Sequence, residues 1–152
     1  LITFERMDNM QFKEYLKFML PDYIRDTAEH YKLDQELATE KAQKQMEQLL
    51  PDEEQTEGQH LFHIKEGQDL AGYLWFHVSK EEKKAFLYHI YVLNAFRKRG
   101  IAQTALRFFE NESKDEGADY VGLHVFGSNE NAIDLYKKLG YKQASISMNK
   151  VL

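Results

Sequence analysis

Two stretches of the chain carry residue types and spacings that could do chemistry. In the first, Tyr88-His89-Ile90-Tyr91-Val92 runs through Leu93-Asn94-Ala95-Phe96 into Arg97-Lys98-Arg99-Gly100-Ile101-Ala102. An aromatic, β-branched strand pattern gives way to three cations, a glycine and a helical pattern. The first amides of a helix lack an intrahelical acceptor and the peptide dipoles reinforce them, so an anion is favoured there. Gly100 allows a phosphate close to the backbone, and Ala102 keeps the next approach small. The stretch is neither a P-loop, since no Gly-x-x-x-x-Gly-Lys-Ser/Thr occurs, nor a dinucleotide fingerprint, since one glycine falls in the window. In the second stretch, Leu123-His124-Val125-Phe126-Gly127 leads to Ser128-Asn129, good N-cap residues, and a helical pattern that closes on Gly140. Asn129, Ala132 and Tyr136 share a face if Asn129 opens that helix, because seven residues make nearly two turns.

Histidines supply the candidate proton carriers. His89 on the first stretch and His124 on the second could each relay a proton near neutral pH, and each could equally be hydrogen-bonded into the structure. A water chain to solvent is the third route. His60-x-x-His63 has metal-ligand spacing for a helix, but it falls on a strand pattern with no third ligand near, so no metal site is expected. Glu5 and Tyr91 are further candidates for the substrate side.

The elements that must position these residues follow from periodicity. Residues 1–6 read as a short strand. Met10, Phe12, Tyr15, Leu16 and Met19 recur at helical spacing, with Pro21 expected to end the run and a second helical stretch over 22–31. A third helix opens near Asp34 and stops before the loop at Pro51. Three strands follow, Leu61–Ile64, Leu70–Val78 and Ala85–Val92, joined by short charged turns that suggest an antiparallel meander. A helix over 101–115, a strand over 119–125, a helix over 130–139 and one or two closing strands over 141–151 complete the order. This pattern predicts one domain over 1–152, an α/β (α+β) fold with a mixed, mostly antiparallel sheet of six to seven strands flanked by helices.

Composition narrows the function classes. The chain has 152 residues, 43% of them hydrophobic, no cysteine and a net charge of −5. Without cysteine there is no disulfide, thiolate metal site or thiol nucleophile. Acids outnumber bases in the first 60 residues and slightly trail them in the rest, which disfavours a general nucleic-acid binder. No stretch has the length of a membrane span and the start lacks a signal-peptide pattern, so a cytoplasmic location is expected.

Together the two stretches resemble the GNAT superfamily of N-acetyltransferases. Arg97-x-x-Gly100-x-Ala102 matches its pyrophosphate loop, and Asn129-x-x-Ala132-x-x-x-Tyr136-x-x-x-Gly140-Tyr141 matches the second half of its cofactor site. The proline expected shortly after Val92 is absent, with Asn94-Ala95 in its place. The resemblance covers about residues 60–150. It implies a fold in which the sheet parts beside the third meander strand and acetyl-coenzyme A lies in the gap. Backbone groups of Ile90, Tyr91 and Val92 would pair with the pantetheine arm, and Arg97, Lys98, Arg99, Gly100, Ile101 and Ala102 would cradle the pyrophosphate. Asn129 and Ala132 would line the arm. Tyr136 would protonate the departing sulfur while an amine attacks directly, and an amide such as that of Val92 would hold the oxyanion. The alternative is a module that binds acyl-coenzyme A without catalysis. The acceptor would be a small-molecule or peptide amine. Aromatics (Tyr15, Phe18, Tyr23, Tyr31, Trp75, Phe126) and acids (Asp22, Asp26, Glu29) suggest a cationic one. A monomer or homodimer without nucleic-acid or membrane partners is expected.

Overall fold

In the computed structural model, which describes residues 1–152, the chain opens with strand β1 (Ile2–Arg6) and helices α1 (Asn9–His30) and α2 (Gln35–Leu49). The start of α1 is fixed by a capping box: Asp8 Oδ1 accepts from the Gln11 N–H, and Gln11 Oε1 accepts from the Asp8 N–H. Pro21 does not end this helix, and one helix stands where two were expected. A proline there removes the donor to the Lys17 carbonyl. Phe12, Tyr15 and Met19 before it and Tyr23 after it pack on the same core, so the helix continues. Asp34 caps α2 by accepting from the Leu37 N–H, and the helix ends before Pro51 as its pattern predicts.

Strands β2 (Gln59–Glu66), β3 (Asp69–Ser79) and β4 (Lys84–Val92) form the meander; then come α3 (Ile101–Asp115), β5 (Tyr120–Leu123) and α4 (Glu130–Lys138). The sheet order is β1-β2-β3-β4-β5, antiparallel throughout except for the parallel β4–β5 pair. On one face, Ile101, Ala105, Leu106 and Phe109 of α3 pack on Phe62, Ile64, Leu74, Phe76 and Leu87. On the other, Phe12, Tyr15 and Met19 of α1 and Met46 of α2 pack on Leu61, Tyr73 and Trp75. No helix is long and apolar enough to cross a membrane.

The sheet has five strands rather than six or seven, because residues 141–152 form no ladder. Alternation of Ala144, Ile146 and Met148 suits a strand, but a strand exists only where an edge accepts its hydrogen bonds. Tyr141 is instead anchored to α3, its hydroxyl donating to Glu110 Oε2 at 2.8 Å, and Ile146 and Met148 stay exposed.

The register of β4 positions everything that follows. Trp75 faces His89 and Phe76 faces Leu87, so Tyr88 is an extra residue, a β-bulge. Pairing with β5 reaches only Leu87↔Leu123. The bulge bends β4 where β5 stops, and the rest of β4 has lost its neighbour on that side. On the opposite side β3 comes very close: a Cβ built on Gly72 would lie 2.1 Å from the Tyr91 carbonyl oxygen. Gly72→Ala should therefore force the two strands apart and cost about 2–3 kcal/mol. Urea unfolding measures this, and a change within error would mean that β4 can shift freely.

Candidate active site

The gap begins where β4 passes its bulge. Leu93 donates its N–H to the Ala71 carbonyl at 2.8 Å. Antiparallel pairs alternate, so Leu93, Tyr91 and His89 turn their amide groups toward β3. Ile90 and Val92 turn theirs toward the side that β5 has left. The Val92 carbonyl there accepts from Arg97 Nε at 2.8 Å. That leaves the Val92 N–H and both peptide groups of Ile90 as an open strand edge.

The chain then makes a 3₁₀ turn at Asn94–Phe96 and enters α3 through two left-handed residues, Lys98 (φ 65°) and Gly100 (φ 77°). Gly100 precedes α3 with no side chain capping it, and the amides from Lys98 to Gln103 have no backbone acceptor. Six consecutive N–H groups at the positive end of a 15-residue helix suit an anion with many oxygens. The space in front of them is a cleft of about 210 Å³, bordered by Val92, Phe96, Arg97, Gly100, Ala102 and, from α4, Leu135. A Cβ on Gly100 would meet nothing within 4 Å, so glycine is favoured there by its φ, not by crowding.

The three cations are not equivalent. Arg97 spends its Nε on Val92 and its guanidinium lies 5.1 Å from the Tyr91 ring centre. Arg99 forms a 2.6 Å ion pair with Glu66. Lys98 is exposed and makes no ion pair, so it alone is unattached.

Across the gap, α4 starts as its sequence predicts: Asn129 Oδ1 accepts from the Ala132 N–H at 3.3 Å, which leaves the Asn129 amide NH₂ unspent. Tyr136 lies on α4 among the side chains packed against the α3 core, edge-on to Tyr141 at 5.8 Å. Burial raises its pKa, so its hydroxyl keeps the proton at neutral pH.

On the opposite face of β4, His89 Nδ1 lies 2.6 Å from the hydroxyl of Tyr15, which is fully buried. Burial lowers the His89 pKa to about 4, with nearby Asp22 opposing it, and burial raises that of Tyr15. Both are neutral at pH 7, and one proton is shared between the hydroxyl and Nδ1. Phe18, Tyr73 and Tyr91 close around this pair with ring centres about 5 Å apart. His124 lies beyond the end of β5, exposed and edge-on to Phe126 at 5.1 Å.

The structure thus gathers Ile90, Val92 and Arg97–Ala102 on one side of the gap and Asn129, Ala132 and Tyr136 at α4; Tyr91, expected to pair with a ligand there, instead turns its amide groups to β3, because it sits in the alternate register of the antiparallel ladder. Tyr15 and Phe18 lie on the α1 face of β4. Other sequence candidates fall elsewhere. Glu5 pairs with Lys65 at 3.0 Å on the far edge of the sheet. Trp75 is buried with its indole N–H donating to Gln59, Tyr23 donates to Gln45, and Tyr31 is exposed beside Lys41. His60 is buried between Arg6 and Glu116. Sequence reasoning missed the Tyr15–His89 bond and the bulge at Tyr88, and no local pattern signals either.

The chain as a whole is similar to known proteins. Residues 22–141 match the family model for the acetyltransferase (GNAT) family. The chain is 29% identical to the uncharacterized N-acetyltransferase YdgE of Bacillus subtilis strain 168, over 99% of this chain and 98% of the relative. It is 28% identical to YycN of the same organism, also an uncharacterized N-acetyltransferase, over 96% of each. A crystal structure of YycN superimposes with a TM-score of 0.92, covering 100% of this chain and 99% of that one.

The His89 pair gives a pH signature. A histidine whose pKa is depressed on folding contributes stability that is present above pH 6.5 and is lost as pH falls toward 4. A proton NMR titration should find the His89 ring neutral at pH 6 with a midpoint near 4. A midpoint at or above 6.5 would show that Tyr15 and the surrounding rings do not enclose it.

Proposed function

The chain belongs to the acetyltransferase (GNAT) family, and on that premise we propose that it moves the acetyl group of acetyl-coenzyme A to an amine nitrogen by direct attack. The observation that carries the reading is the run of six unspent amides at the start of α3, beside the open edge of β4. A diphosphate suits that cradle, with Lys98 as the adjustable cation and Arg97 and Arg99 fixing the loop's path. The open groups of Ile90 and Val92 suit an extended amide-bearing arm added as a strand. Asn129 offers its NH₂ from across the gap, and Ala132 leaves room beside it. Acetyl-coenzyme A, when bound, would supply the activated thioester, and coenzyme A would leave as the thiol.

The remaining chemistry falls to the chain. The Val92 N–H, turned into the gap, stabilises the negative charge that develops on the acetyl oxygen. As the N–C bond forms and the C–S bond breaks, Tyr136 donates toward the departing sulfur. A thiol pKa of about 8.5 lies below that of a buried tyrosine, so a full transfer is uphill. Tyr136 therefore acts first as a hydrogen-bond donor to the sulfur and regains any lost proton from solvent. The attacking amine must shed a proton. His89 is spent on Tyr15 and His124 is exposed beyond β5, so the proton leaves through water at the open side of the gap.

Calorimetry with acetyl-coenzyme A, on the native chain and on Gly100→Glu, tests the cradle. The glutamate places bulk and negative charge against the amides at a modest strain cost of about 1–2 kcal/mol. Micromolar binding should disappear in the variant while its circular dichroism is retained. Equal binding by both proteins would remove the diphosphate from the start of α3. Tyr136→Phe should lower kcat about 100-fold with little change in the KM for acetyl-coenzyme A. An unchanged kcat would leave Tyr136 only a packing role, and binding without turnover on any amine would favour a sensor.

A further inference from the structure

Helix α1 and strand β4 are joined by a single directional contact. The Tyr15 hydroxyl and His89 Nδ1 lie 2.6 Å apart, and no other hydrogen bond links α1 to the sheet. Tyr15 is fully buried, and its hydroxyl has no second partner. The helix otherwise meets the sheet through rings and apolar side chains, such as Phe18 on Tyr91 and Tyr15 on Tyr73. Contacts of that kind have no preferred direction, so they hold two elements together without fixing their exact offset. A hydrogen bond fixes both distance and angle.

The place of this bond along β4 gives it a role. His89 pairs with Trp75 and is the first residue back in register after the extra residue Tyr88. Ile90, the next residue, begins the open edge that β5 has left, and Val92 continues it. A bulged residue is unpaired, so the ladder itself does not hold the bend it introduces. The core on the α3 face takes Ile90 and Val92, which decides the face to which each residue turns. It does not decide how far the bend carries the strand. Tyr15 reaches the residue at the bend from the opposite face, and a buried hydroxyl is costly to leave unpaired.

Resting on the reading that the arm of acetyl-coenzyme A pairs with Ile90 and Val92, we propose that Tyr15 and His89 are positioning residues. Their hydrogen bond sets the bend in β4 so that the open peptide groups of Ile90 and Val92 meet the arm at hydrogen-bond distance. Neither side chain touches the ligand. What His89 supplies in this role is a polar atom at the Nδ1 position, not an acid or a base. The amides at the start of α3 are held separately, by the packing of Ile101 and Ala105 and by the ion pair of Arg99 with Glu66. A shift at His89 should therefore loosen the arm and spare the diphosphate.

The test is a ratio of two dissociation constants measured by calorimetry on the same protein. The numerator is that of ADP, which has a diphosphate and no arm, and the denominator is that of acetyl-coenzyme A. The native ratio should exceed about ten. Tyr15→Phe and His89→Leu should each lower it about fivefold by weakening acetyl-coenzyme A, with ADP unchanged. His89→Asn, whose side-chain amide sets a polar atom where Nδ1 stands, should keep the ratio within about twofold of native. A general loss of stability would weaken both ligands together and would not distinguish asparagine from leucine. A ratio that Tyr15→Phe and His89→Leu leave alone, or that leucine and asparagine lower equally, overturns the assignment while the arm's place on β4 stands. A native ratio near one, or no binding of acetyl-coenzyme A, overturns the reading beneath it as well, because the bond then holds nothing that the ligand uses.

Discussion

The extra residue in β4 is the constraint on which the rest depends. A parallel β4–β5 pair would ordinarily continue for the length of the longer strand, since each added residue satisfies peptide groups that are costly to leave unpaired. At Tyr88 the ladder with β3 gains a residue, β4 bends, and β5 has no partner beyond Leu123. Peptide groups of Ile90 and Val92 are left unpaired in the middle of a protein. The fold leaves this local cost standing, and unpaired groups on an otherwise rigid strand are what a binding edge consists of.

Rigidity comes from the two cores on either side. On the α3 face, Ile90 and Val92 pack against the cluster that holds Leu106 and Phe109, while Gly72 lets β3 press against β4 from behind. On the α1 face, Tyr15, Tyr73 and Trp75 are buried against the same strand. The open edge therefore sits on a strand fixed from three sides. The helix amides at Lys98–Gln103 are fixed in turn by Arg97 and Arg99, whose bonds to Val92 and Glu66 tie the loop back to the sheet. Two of the three cations that look like anion ligands in the sequence are thus employed first in shaping the loop.

Burial also divides the titratable groups by role. Tyr136 and Tyr15 are pushed toward the protonated form and His89 toward the neutral form, all chiefly by desolvation.

Much of this was legible in the chain alone. The order of elements, the cap at Asn129, the glycine before α3 and the pairing of the two motifs are local matters: they depend on residue type, φ preference and periodicity within a few positions. Those same rules misjudged Pro21 and residues 141–151, where the outcome depended on packing across the core and on whether a sheet edge was within reach. The bulge at Tyr88 and the bond from Tyr15 to His89 join residues far apart in sequence, 74 positions apart in the case of Tyr15 and His89. By itself the sequence determined which residues could form strands, caps and an anion-binding turn, because local sterics and hydrogen bonding decide those. Only the tertiary structure decided which peptide groups remained unpaired and which side chains met across the gap, because that requires every competing partner to be in place.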